Sequence, residues 1–136
     1  MDDQAAAPAG TVYDWYQRGL SLLRSGSAEA AAAVLAHAHR AEPASANIRE
    51  AFARALFDSR RYDAAEELFR AAAAEDPTDH YAHFGLGLAL SRRGRHEQAL
   101  SPLALAVAMC PENAHYTTAL AQARATVRAR QDSASS

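Results

Sequence analysis

Lysine is missing from this sequence altogether: all 14 basic residues are arginine. Together with alanine runs such as Ala30–Ala33 and Ala71–Ala74, that absence is the mark of a GC-rich, bacterial-type genome rather than of a basic binding surface. Sixteen acidic residues bring the formal charge to −2, so nothing in the balance favours nucleic acid or an anionic membrane. Cysteine occurs once, at Cys110, which excludes an internal disulfide framework and fits a reducing cytoplasm. No segment approaches the roughly 18 consecutive apolar residues that a membrane span needs. The opening Met1-Asp2-Asp3-Gln4-Ala5 is acidic where a secretory signal would be basic. Nowhere do apolar and polar residues alternate for long, which removes the usual signal for strands. What remains is 49% hydrophobic, rich in helix-favouring alanine, and long enough at 136 residues for one modest domain. The fold class is all-α.

The few prolines are informative. Pro43, Pro77 and Pro111 stand 34 residues apart, each followed two positions later by a short polar residue: Ser45, Asp79 and Asn113. Proline disfavours helix in the residue before it, and Ser, Asp or Asn caps the next helix. Each proline therefore marks a joint between helices. The same step aligns small residues at Gly19, Ala53, Gly87 and Ala121, at Ala31, Ala65 and Ala99, and at Ala38, Ala72 and Ala106. It also aligns Leu22, Leu56 and Leu90, and Leu35, Phe69 and Leu103. Breakers fall midway, at Gly26 and Gly94, with Arg60 in the middle copy. Each unit reads as two helices and a tight turn, with small residues where the helices cross.

This pattern resembles the tetratricopeptide repeat. The first copy carries the family's signature as Trp15, Gly19, Leu22, Ala31, Leu35, Ala38 and Pro43; the second and third repeat it from Ala53 to Pro77 and from Gly87 to Pro111. The copies depart from it at Arg49 and His83, which replace the aromatic, and at Pro102, which is expected to bend the second helix of the third repeat. The resemblance implies a right-handed α-solenoid of three helix–turn–helix repeats, about 12–45, 46–79 and 80–113. A capping helix over 114–131 follows, and residues 1–10 and 132–136 are expected to be disordered tails.

The resemblance also implies that the first helices of the repeats line a concave groove that binds a peptide or amphipathic helix of a partner. Projection onto that face selects Tyr13, Tyr16, Leu20 and Leu23 from the first repeat, and Asn47, Glu50, Arg54, Phe57 and Asp58 from the second. The third contributes Tyr81, Phe84, Leu88 and Arg92, and the last helix His115 and Gln122. Aromatic anchors beside arginine are the composition of binding hot spots. The expected function is a protein-interaction adaptor; a self-assembling scaffold and a dedicated chaperone for one partner are the alternatives. A clamp for a chaperone's C-terminal carboxylate is disfavoured, because its positions hold Tyr16, Leu20, Ala51, Tyr81 and Gly85, none of which supplies the required donor.

The turns inside repeats carry six arginines against four carboxylates, while the joints between repeats carry one arginine against five. That polarity is able to orient a partner or favour antiparallel self-association. Catalysis and cofactors are not expected. The histidines His37, His39, His80, His83 and His115 and the thiol of Cys110 lack metal-ligand spacing. There is no nucleophile–base pairing and no glycine-rich phosphate loop. Groove charges of both signs disfavour RNA.

Overall fold

The computed structural model describes residues 7–135, and they are helical with no strand among them. Its elements are α1 (Val12–Arg24), α2 (Ala28–Ala41), α3 (Ala46–Asp58), α4 (Tyr62–Glu75), α5 (His80–Arg92), α6 (His96–Met109) and α7 (Ala114–Ser135). None of the described helices is long and apolar enough to cross a membrane. The chain divides into two compact units, one ending at Arg61 and one beginning at Tyr62.

In the first unit, Thr11 and Asp14 form a reciprocal cap at the start of α1: the Thr11 hydroxyl accepts from the Asp14 N–H, and the Asp14 carboxylate accepts from the Thr11 N–H. The bond from the Thr11 N–H, foremost, holds the Asp14 carboxyl below its ordinary pKa. Ser45 caps α3 by accepting from the Ile48 N–H at 3.3 Å. The α1–α2 crossing is close because position 19 has no side chain; a Cβ there would lie 2.5 Å from Leu35, which is wholly buried. Ala31, Ala32, Val34 and Ala38 of α2 and Ile48, Ala51, Ala53, Ala55 and Leu56 of α3 complete the interior. Trp15 donates its indole N–H to the carbonyls of Pro8 and Ala9 at 3.1 and 3.2 Å. Residues 8 and 9 are thus tied to α1 rather than trailing as a tail; residues 1–6 of that expected tail lie outside the described residues.

In the second unit, Asp79 caps α5 by accepting from Ala82, and Asn113 caps α7 by accepting from His115 and Tyr116. Helix α5 packs on α4, α6 and α7. Two glycines permit this. A Cβ on Gly85 would meet the Phe69 ring at 2.5 Å, and one on Gly87 would meet Leu103 at the same distance. His83, buried, donates from Nε2 to the Pro77 carbonyl at 2.9 Å. Helix α6 runs unbroken through the buried Pro102. The last helix continues to Ser135, so residues 132–135 are helical and not the tail the sequence suggests. No proline or glycine follows Pro111 to stop it.

The three turns that follow α1, α3 and α5 share one hydrogen-bond pattern. The N–H groups of Ser27, Arg61 and Arg95 donate back to the carbonyls of Leu22, Leu56 and Leu90. The residue before each donor is left-handed: Gly26 at φ 82°, Arg60 at φ 67° and Gly94 at φ 80°. Arg60 makes the same turn without glycine's freedom.

Candidate functional site

The expected binding positions recur on one stripe of each first helix, at steps of three and four residues. In the first unit, α1 presents Tyr13 at 68% exposure with Tyr16 and Leu20 half-buried. Leu23, expected on the same surface, is instead buried, in a helix that packs on both α2 and α3. On α3, Asn47, Glu50 and Asp58 are exposed while Arg54 and Phe57 are half-buried.

The second unit gathers its residues more tightly. Rings follow one another from α4 through α5 to α7: Phe69 to Tyr81 at 5.9 Å, Tyr81 to Phe84 at 6.4 Å, and Phe84 to Tyr116 at 4.5 Å. His80 ends the row 5.7 Å from Tyr116, and its Nδ1 shares a 2.8 Å hydrogen bond with the Tyr116 hydroxyl. Phe69 and Tyr116 are buried and hold the row in place, whereas Tyr81 and Phe84 keep an edge to solvent. Next along α5, Leu88 and Arg92 line a trough of about 510 Å³ against Ala119, Gln122 and Thr126 of α7. The Arg92 guanidinium lies 5.9 Å above the Tyr62 ring.

Tyr116 is the member of this row that sequence reasoning missed. The signal was present: the 34-residue step places it on Ile48 and Ala82, both interior positions. A larger ring at that register reaches Phe84 and His80.

The Glu66 carboxylate joins α4 to the turn after α5, accepting from Arg93 at 2.6 Å and from Arg70 at 2.8 Å. Burial pushes the Glu66 carboxyl up, but the hydrogen bonds from Arg70 and Arg93 outweigh it and hold it below the usual carboxylate range. His80, His83, Cys110 and His115 do not assemble into a ligand set; among the described residues no three His, Cys, Asp or Glu side chains gather where a metal ion would bind. Cys110 is half-exposed, at the end of α6.

Helical hairpins that leave aromatic edges open beside a shallow trough define a helical-repeat interaction module. The family model for the tetratricopeptide repeat matches residues 16–80 and 50–114, and the chain belongs to that family, whose repeats are scaffolds for protein–protein interaction. No curated protein matches the sequence. Among solved structures, MamA (41-end) from Desulfovibrio magneticus RS-1 is similar at a TM-score of 0.82 and 22% identity, over 92% of this chain and 71% of that one. The first TPR domain of the human RPAP3 protein is similar at 0.79 and 18%, over 90% and 96%. MamA AMB-1 gives 0.78 and 20%, over 93% and 75%. At these identities the likeness is one of fold.

Proposed function

We propose that this protein is a non-catalytic adaptor that takes a peptide or amphipathic helix of another protein against the first helices of its repeats. The observation that carries the reading is the aromatic row of the second unit. Tyr81 and Phe84 are half-buried, packed on the buried Phe69 and Tyr116, beside the trough that Leu88 and Arg92 line. Rigid rings lose little side-chain entropy on binding and offer large apolar area, which is why such residues dominate interface energetics. The stripe on the first unit, with Tyr13, Tyr16, Leu20, Asn47, Glu50, Arg54, Phe57 and Asp58, is proposed to contribute in the same way.

A protein ligand fits this chemistry better than RNA, since the charges on the proposed positions are Glu50 and Asp58 against Arg54 and Arg92. The test compares proteins captured from the source organism's extract by wild type, by Tyr16→Ala/Phe84→Ala and by the outward control Glu67→Gln. The double variant is expected to lose a specific protein that the control retains. Equal capture by all three, at equal helicity, rejects the surface assignment.

A further inference from the structure

Helix α6 is built unlike the second helices of the other two hairpins. From Ala99 to Cys110 it carries no charged residue. Its solvent side leaves Leu105 and Met109 44% and 37% exposed, with Ser101 and Ala108 exposed beside them. At the position of Leu105 the earlier copies have Ala71 and His37; at that of Met109 they have Glu75 and Ala41; at that of Ser101 they have Glu67 and Ala33. Hairpin packing therefore does not require an apolar residue at these sites. A helix that is apolar all round is normally covered on every side, and this one is open along a stripe.

The charges at its two ends indicate what covers it. Helix α6 starts at a turn holding Arg92, Arg93 and Arg95 against Glu97, with Arg93 bound to Glu66 and Arg92 laid on Tyr62 within the same copy. It ends at a joint holding Glu112, and the other joint of this unit carries Glu75, Asp76 and Asp79 without a basic residue. An antiparallel crossing of two such helices lays the arginine turn of one over the acidic joint of the other. The middle of the stripe must then meet itself across the two-fold axis, which an uncharged surface allows and a charged one opposes.

We propose that the outer face of α6 is a self-association surface whose occupant is α6 of a second copy of this chain, packed antiparallel. The stripe is Gln98, Ser101, Leu105, Ala108 and Met109, with Glu112 in the joint just beyond it. With the axis at Leu105, that side chain meets Leu105 of the second copy, and Ser101 meets Met109 of the second copy. Arg95, the residue that precedes α6, then lies at the end of the crossing where the joint holding Glu112 of the second copy begins. One helix stripe of about 20 Å buries less than a standard interface, so the dimer is weak and forms with rising concentration. The surface is separate from the aromatic row, and both operate in the same copy.

Sedimentation velocity of the full chain over roughly 1–500 µM tests this. The wild-type mass is expected to rise from the single-chain 14.5 kDa toward that of two chains. Leu105→Arg, which puts two guanidinium groups at the axis, holds the mass at one chain; Leu105→Gln serves if the arginine variant loses helicity. Arg95→Glu weakens association by about tenfold, and Arg95→Glu/Glu112→Arg restores it. Phe84→Ala leaves association unchanged. A wild-type chain that stays single throughout overturns the proposal, as does a folded Leu105 variant that associates like wild type. Failure of the charge-swapped double variant to recover overturns the antiparallel pairing.

Discussion

Replacing Glu66 by glutamine tests how strongly charge ties α4 to the turn after α5. The carboxylate side chain is 10% exposed and accepts from two arginines of different standing. Arg70, 57% exposed and four residues along the same helix, contributes about 0.3–0.5 kcal/mol. Arg93, 30% exposed and 27 residues away in sequence, makes a charge-assisted bond that partial exposure reduces to about 1 kcal/mol. Glutamine keeps the volume and one acceptor, so the expected loss at pH 7 is about 1.5 kcal/mol, or about 5 °C in Tm for a domain of this size. A double-mutant cycle of Glu66→Gln and Arg93→Gln, followed by urea unfolding, should return a coupling of about 1 kcal/mol. The folded Glu66 carboxyl titrates below its ordinary 4.5, so the unfolded chain takes up the proton first as pH falls. The contribution is then complete above that value and disappears as pH drops through the folded one. The gap between wild type and Glu66→Gln should therefore close between pH 7 and acid. A coupling near zero at pH 7, or a gap that widens in acid, refutes the reasoning.

Gly87→Ala forces a methyl group to within 2.5 Å of Leu103, which is 1% exposed and has nowhere to retreat. Overpacking should exceed the gain in helix propensity and cost about 1–2 kcal/mol; a urea midpoint equal to wild type would contradict the close crossing. Arg60→Gly should stabilise by about 0.5–1 kcal/mol, since it relieves a left-handed residue at the price of a more flexible unfolded chain. An unchanged or lower midpoint at constant m-value counts against that. His39 packs on the Phe52 ring, and its Nδ1 has no hydrogen-bond partner among the described residues; burial, then the positive charge of Arg49, holds its pKa below 6.5. The unfolded chain is protonated first, so stability falls as pH drops below 6.5 toward the folded value. His39→Phe should flatten that slope between pH 7 and 5, and an unaltered slope assigns it elsewhere.

The joints were legible because proline and capping residues act locally: Ser45, Asp79 and Asn113 accept the hydrogen bonds their side chains are suited to, and no distant contact is needed to foresee it. The turns were legible for the same reason at Gly26 and Gly94, and only the 34-residue register pointed to Arg60. Misreadings arose where packing decides. Leu23 shares a helical stripe with Tyr16 and Leu20, yet it alone of the three is buried, and a periodicity of 3.6 carries no information about where a neighbour packs. His83 looked like a departure from the aromatic signature. Its Nε2 makes a bond to a carbonyl six residues back, as the Trp15 indole does to Ala9. A shared hydrogen-bonding role is invisible to hydropathy. The extension of α7 to Ser135 required noticing an absence of breakers rather than a positive signal.

The three copies use the same positions to fold and different ones to differ. Gly19 and Gly87 each receive a leucine from the second helix of their own hairpin, and Leu22, Leu56 and Leu90 each close the same turn. Those sites are constrained by contact and admit little change. Positions less enclosed than these vary more widely: Tyr16, Glu50 and Phe84 occupy one register, and His37, Ala71 and Leu105 another. Variation that packing does not demand is where recognition is to be sought, and both registers become most apolar in the third repeat. Phe84 and Leu105 lie on different helices of that repeat, with Gly87 and Leu103 packed between α5 and α6. Substitution at one should therefore leave the other's binding intact. Coupled loss at both sites would mean that the repeat itself had been disturbed.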